Sequence, residues 1–310
     1  MSRYAILFPG QGSQRVGMGA DLFSVYADLL GEPADRIVGW SLEALVVEGP
    51  QEELTRTEHA QPALYAVSSA LWRALDEALP TRPAAAAGHS LGEYTALAAS
   101  GAISYEDGLA LVAERGRAMA AAAEAGEPSG MAALIGADAD QAEAIAADCR
   151  AVGGKLWVAN INAPSQIVLA GSAADIEWVC ESARSLGIRK AIPLAVAGAF
   201  HSPFMRPAAK RLEAALDATA FSPPQFPVYA NTTARPTEDP ARQLAEQLVR
   251  PVQFAPTLEH MADDGITTFI HVGPGDVTAG LVKRTVPDAI VHVVSGLDEV
   301  AAVANDPSVQ

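Results

Sequence analysis

The chain has 310 residues, half of them apolar, enough to bury a large core and to exclude a disordered protein. Its 37 acidic against 21 basic side chains leave a formal net charge of -16, which argues against nucleic acid and anionic membranes as partners. Two cysteines, Cys149 and Cys180, make neither a disulfide framework nor a zinc site and read as buried thiols. The opening apolar run is too short for a signal peptide and no stretch reaches transmembrane length, so the cytoplasm is the expected compartment.

In chain order, residues 4–8 predict a buried strand delivered into the turn Pro9-Gly10-Gln11-Gly12. Apolar spacing predicts helices over 21–30 and 63–79. At 84–87 four alanines favour helix, but Gly88-His89-Ser90-Leu91-Gly92 follows, and a serine on a strand-to-helix elbow needs a strand before it. The strand is taken, with helices over 93–99 and 105–125 behind it.

Gly126-Glu127-Pro128-Ser129-Gly130 breaks the last of these. Strand 131–135, helix 138–149, strands 156–161 and 166–170, helix 173–186 and strand 190–194 then give the order βαββαβ, a complete ferredoxin-like unit. Helix 207–216, a strand near 228–231, helix 244–249 and strand 268–272 return the chain to an α/β pattern. A frayed tail is expected from about residue 305. The expected architecture is an α/β core over 1–127 and 198–310 with a subdomain inserted at 128–197.

Ser90 is the candidate nucleophile. Flanking glycines let the backbone turn sharply and leave the Leu91 amide free to face an oxyanion. A serine hydroxyl needs a base, and six histidines are available. His89 adjoins Ser90 and should diverge from it; His59 and His260 sit in polar, helix-like surroundings; His271 and His292 lie in apolar strand-like runs. His201 lies in the loop Gly198-Ala199-Phe200-His201-Ser202-Pro203, where active-site residues gather, but residue chemistry alone leaves the choice open.

Taken together, the segments Phe8-Pro9-Gly10-Gln11-Gly12-Ser13-Gln14, Gln61-Pro62-Ala63-Leu64, Gly88-His89-Ser90-Leu91-Gly92-Glu93-Tyr94, Glu114-Arg115-Gly116, Asn162-Ala163-Pro164, Gly198 to Pro203, Pro251-Val252 and Val272-Gly273-Pro274-Gly275 resemble the malonyl-CoA:acyl carrier protein transacylase family. That family includes discrete acyltransferases of polyketide synthesis, and the resemblance runs over nearly the whole chain. It implies an α/β-hydrolase-like core with an inserted ferredoxin-like subdomain. It implies Ser90 as the acylated residue, His201 as its base, and the amides of Gln11 and Leu91 as an oxyanion hole. Arg115 would bind the malonyl carboxylate, Gln61 and Asn162 would line the way in, and Phe200 would fill the space of an α-methyl group.

The alternative for Arg115 is a surface arginine paired with Glu114, and for Phe200 plain core packing. In the family a main-chain carbonyl near Pro251 steadies the histidine; here Arg250 precedes that proline, a departure that leaves the carbonyl intact and adds a cation. The implied substrates are malonyl-CoA and the phosphopantetheine thiol of an acyl carrier protein, with no metal or redox cofactor. Carrier proteins are acidic, so a basic patch is expected from Arg206, Lys210 and Arg211 with Lys283 and Arg284. The main rival is a serine thioesterase or hydrolase using His271 or His292 with an acid; a binding module without turnover is a second, and a discrete polyketide acyltransferase loading a different acyl group is a third.

Overall fold

The computed structural model describes residues 3–310. Its first sheet is wholly parallel. Strands β1 (Tyr4–Phe8), β2 (Ala85–Gly88), β7 (Val228–Tyr229), β8 (Thr268–Val272) and β9 (Ile290–Val294) run in the order β7-β2-β1-β8-β9. β1, β2 and β8 are buried along their whole length, as expected of strands covered on both faces. Period-two alternation sends Ile6 and Ala86 into the core on one face, and Ala5, Leu7, Ala85 and Ala87 into the core on the other. The alanines of β2 are therefore strand because both neighbours and both faces of the sheet enclose them. Tertiary burial overrides their helical propensity.

The first helices are shorter than the sequence pattern predicts. Residues 21–30 give only α1 (Ala27–Leu30), and Gly31 separates it from α2 (Glu32–Val38). A Cβ at Gly31 would lie 2.6 Å from the Ala27 carbonyl oxygen, so this chain reversal is built for glycine. After α3 (Gln51–Thr55), α4 runs over Thr57–Ala78, starting six residues before the predicted position and carrying Pro62 inside it. Helices α5 (Gly92–Ala99) and α6 (Tyr105–Ala125) follow β2, and α6 packs along α4. Gly116 permits that approach, since a Cβ there would stand 2.9 Å from the Thr57 carbonyl oxygen.

The second sheet is antiparallel. Strands β3 (Ser129–Ile135), β4 (Leu156–Ala163), β5 (Gln166–Ser172) and β6 (Lys190–Pro193) lie in the order β4-β5-β3-β6, with α7 (Ala139–Ala151) and α8 (Ala173–Ser182) packed on them around a core of their own. This is the ferredoxin-like arrangement expected from the element order. Cys149 belongs to that core, whereas Cys180 is only half-buried. β4 is tied to the segment before the helix Phe254–Asp263 by a parallel bridge between Asn160 and Val252, in which the Ile161 amide donates to the Val252 carbonyl and the Val252 amide to the Ala159 carbonyl, each at 2.8 Å.

The chain closes with α9 (Arg206–Asp217), α10 (Pro240–Gln247), α11 (Phe254–Asp263), α12 (Val277–Thr285) and α13 (Leu297–Ala304). The tail is docked rather than frayed: Pro307–Val309 forms a short 3-10 turn, Val309 is fully buried, and Ser308 meets His292 at 2.8 Å. No helix among the described residues is long and apolar enough to cross a membrane.

Candidate active site

Parallel strands that share a sheet present their carboxyl ends along one edge, where ligands bind. β1 and β2 end level, Phe8 beside Gly88, so the Gly10–Gly12 turn lies against the Ser90 turn. Both turns need glycine. A Cβ on Gly88 would sit 1.9 Å from the Gly92 carbonyl carbon, on Gly92 2.3 Å from the Phe8 oxygen, and on Gly10 2.5 Å from the His89 oxygen. Ser90 itself is held at φ +52°, a conformation that non-glycine residues avoid and that clusters at functional sites.

Asn231, just beyond the end of β7, fixes that turn. Its Oδ1 accepts the Ser90 amide at 2.7 Å, and its Nδ2 donates to the Gly88 carbonyl at 2.7 Å. Asn231 belongs to none of the sequence motifs; its only signal is its place at the carboxyl end of a strand beside β2.

Ser90 Oγ lies 2.8 Å from His201 Nε2, while His201 Nδ1 lies 2.7 Å from the main-chain oxygen of Gln247. A carbonyl can only accept, so Nδ1 carries the proton and Nε2 presents its lone pair to the serine. Burial, reinforced by the nearby Arg115 charge, pulls His201 down to about 3, so the imidazole is neutral near pH 7.

The remaining histidines have other partners. His89 meets Asn162, His271 meets Thr278 and the Gly273 carbonyl, and His292 meets Ser308. His59 and His260, expected to be solvated, each sit against a main-chain carbonyl, of Glu53 and Ala234. The orienting carbonyl is not that of Arg250, three residues further on, where the sequence reading placed it. Arg250 is exposed and its guanidinium pairs with Glu246 at 3.4 Å. The chain end of α10 turns the Gln247 oxygen toward the histidine instead.

Arg115 is 1% exposed, among the largest fully buried side chains of the protein. Nη1 donates to Gln61 Oε1 at 2.7 Å; Nη2 lies 3.0 Å from Ser90 Oγ and 2.9 Å from Gln247 Oε1. The guanidinium also faces the Tyr94 ring at 5.6 Å. Its Nε is buried and has no hydrogen-bond partner among the described residues. Glu114, the alternative ion-pair partner, turns to Arg211 and Arg117 instead. Gln61 is fully buried behind Arg115 and anchors it, rather than lining the way in.

These groups meet in a cavity of about 230 Å³ lined by residues of both sheets' loops and strands, among them Gln11, Ser90, Arg115, Phe200, His201 and Asn162 of β4. Gln11 and Leu91 amides both lie outside the internal hydrogen-bond network of their turns, and the Gln11 side chain is held away by Thr57. None of the five patch cations lines the cavity. Arg206, Lys210 and Arg211 lie on α9, where Arg211 is paired with Glu114. Lys283 and Arg284 end α12, a helix whose Val277 and Leu281 form part of the cavity wall, and Arg284 donates to Gln166 of that wall.

Nothing in the sequence pattern gives the Gln247 side chain or Glu93 a role at the site. Gln247 Nε2 donates to the Ser90 carbonyl at 3.0 Å and to Glu93 Oε2 at 2.7 Å.

A serine on a strained strand-to-helix turn, a neutral histidine steadied by a carbonyl, and a buried guanidinium beside the nucleophile define an enzyme that passes acyl groups through an acyl-serine. The chain belongs to the acyl transferase domain family, whose model matches residues 6–303. It is 43% identical over 289 residues to the malonyl CoA-acyl carrier protein transacylase of Bacillus subtilis (strain 168), covering 92% of this chain and 90% of that protein. The solved malonyl-CoA:acyl carrier protein transacylase of Xanthomonas oryzae pv. oryzae matches with a TM-score of 0.92 and 39% identity, over 98% of both chains. A malonyl-transacylase solved in complex with its type II polyketide synthase acyl carrier protein matches with a TM-score of 0.91 and 35% identity, over 98% of this chain and all of that one.

Proposed function

We propose that the protein moves a malonyl group from malonyl-CoA to the phosphopantetheine thiol of an acyl carrier protein through a malonyl ester on Ser90. The observation that carries this is the buried Arg115 guanidinium, which lines the cavity with its Nη2 3.0 Å from Ser90 Oγ. A carboxylate held there stands one carbon away from the thioester carbonyl that Ser90 attacks.

In the first half-reaction His201 Nε2 takes the Ser90 proton as Oγ bonds to the thioester carbon. The Gln11 and Leu91 amides receive the oxyanion. Collapse expels the CoA sulfur, which takes the proton from His201 and leaves as the thiol. In the second, His201 removes the proton of the carrier thiol, the sulfur attacks the ester, and Ser90 recovers its proton. These steps call for no metal or redox group. Phe200, Met119 and Met131 line the same cavity and would crowd an α-methyl group there, favouring malonyl over methylmalonyl. The arm that is loaded is common to carriers of fatty acid and polyketide synthesis, and the compartment proposed for the reaction is the cytoplasm.

Intact mass after incubation with malonyl-CoA tests the assignment: a malonyl adduct should form, pass to carrier protein, and be absent in Ser90→Ala. Release of free malonate without carrier acylation would instead make the protein a thioesterase.

A further inference from the structure

Glu93 lies in the segment that carries the nucleophile, yet no step of the transfer uses it. It sits in the first turn of α5, 2% exposed, and its Oε2 accepts from two donors: Gln247 Nε2 at 2.7 Å and the Asn231 main-chain amide at 3.1 Å. Those two residues clamp the site. Asn231 holds Ser90 N–H and the Gly88 carbonyl; Gln247 holds the Ser90 carbonyl, Arg115 Nη2 and, through its main chain, His201. Glu93 thus touches both clamps and does not line the cavity.

We propose that Glu93 is a positioning residue for acyl transfer, its carboxylate fixing the Gln247 side-chain amide so that one edge holds the nucleophile turn and the other holds Arg115. This rests on the acyltransferase assignment above. The two edges of a glutamine amide are nearly the same shape, so only hydrogen-bond partners decide which way it points. Here Nε2 faces two acceptors, Glu93 Oε2 and the Ser90 carbonyl, while Oε1 faces the guanidinium. A flipped amide would set oxygen against both acceptors and NH2 against a cation. An ionised carboxylate, which can only accept, secures the productive orientation.

The same chain answers a charge problem. The protein atoms that Arg115 touches directly, on Gln61, Gln247 and Ser90, are all neutral. The carboxylate reaches the guanidinium through one polarised amide, an arrangement in which each bond strengthens the next. Burial pushes Glu93 up to about 7 against the opposing pull of Gln247, Asn231 and Arg115. The other titratable groups around it are Arg115 on α6, Tyr94 beside it on α5, and His201 beyond Gln247. Burial pushes Tyr94 up and His201 down to about 3, so Glu93 alone of the four changes charge near neutrality.

The test is the burst of CoA release from malonyl-CoA in wild type, Glu93→Gln, Gln247→Ala and the double variant, followed from about pH 6 to about pH 8.5 with melting curves as the control for folding. At the upper pH, Glu93→Gln should be about 10-fold slower than wild type, and the gap should close toward the lower pH, where the wild-type carboxyl is also neutral. In the Gln247→Ala background the Glu93 substitution should have no further effect. A loss independent of pH, or one of equal size with and without the Gln247 side chain, would overturn the proposal, as would wild-type rates in Glu93→Gln. If Glu93→Gln does not fold, Gln247→Ala decides alone: loss of the wild-type acid limb supports the proposal and its retention overturns it. A wild-type protein that hydrolyses the ester instead of transferring it refutes the transferase assignment, while the same burst ratios still decide the role of Glu93.

Discussion

His201 Nδ1 and the main-chain oxygen of Gln247 are 2.7 Å apart, so the base is oriented by a peptide carbonyl where a triad would place a carboxylate. A carbonyl cannot take a proton and adds no full negative charge to favour imidazolium. Burial and the Arg115 charge outweigh the upward pull of that carbonyl and keep the ring neutral: His201 is pulled from its ordinary value down to about 3. Nitrogen NMR on labelled protein should show the Nδ1–H tautomer of His201 unchanged from about pH 5 to about pH 9, and His201→Ala should slow Ser90 acylation by about 10²- to 10⁴-fold. A titration of His201 with its midpoint near 6.5 in the folded protein would contradict this picture.

Glu93 and His201 make opposite demands on stability. The Glu93 carboxyl is raised from 4.5 to about 7 in the fold, so its contribution to stability is complete below 4.5 and is lost as pH rises through about 7. His201 is lowered from 6.5 to about 3, so its contribution is complete above 6.5 and is lost as pH falls toward 3. A glutamine at position 93 cannot ionise. The melting temperature of Glu93→Gln minus that of wild type should therefore increase between about pH 5 and about pH 8, by the equivalent of about 3 kcal/mol in order of magnitude. A difference that stays constant across that range would show that the buried carboxyl does not titrate there.

Arg115 should set which acyl group is accepted. Removing it takes away the cation that meets the carboxylate and leaves the Gln61 and Gln247 oxygens without their donor. In competition between malonyl-CoA and acetyl-CoA, Arg115→Ala should lower the malonyl preference by about 100-fold or more, with the loss in malonyl acylation and little change in acetyl acylation. Arg115→Lys, a point charge without the planar fork, should recover only part of it. An unchanged ratio in the adduct masses would remove Arg115 from substrate selection.

Much of this was legible in the residues. Turn glycines and apolar periodicity placed β1 to β8 in order with most of the helices between them, but gave no α2, α3, α11, α13 or β9, and the loop around His201 stood out because loops between elements collect reactive groups. What escaped has a common cause. The carbonyl that orients His201 belongs to the backbone, which every residue carries, so nothing in the letter Gln247 or Arg250 marks which oxygen points inward. The amide clamp unites Glu93, Asn231 and Gln247 across more than a hundred residues of chain, and glutamine or asparagine in isolation reads as surface. The buried tail at Val309 and the alanine strand β2 failed or strained the local rules for one reason: their surroundings, not their own propensities, decide them.

Carrier docking should depend on where a cation lies and on whether it is already paired. Lys283 and Arg284 end α12, which supplies Val277 and Leu281 to the cavity wall, and Arg284 reaches Gln166 of the same wall. An acidic carrier held by them would lie beside a helix that lines the cavity. Arg211 is engaged by Glu114 at 2.5 Å on α9, away from that wall. Reversing both charges at 283 and 284 to glutamate should raise KM for carrier protein about 10-fold at low ionic strength and less as salt is added, because exposed charges are screened. Acylation of Ser90 by malonyl-CoA should be unchanged in the same variant, and Arg211→Glu should leave the carrier KM within about two-fold of wild type. Carrier titrations at two salt concentrations decide it: an equal rise in Arg211→Glu would mean that net charge governs docking, and no rise in either would remove α12 from the docking surface.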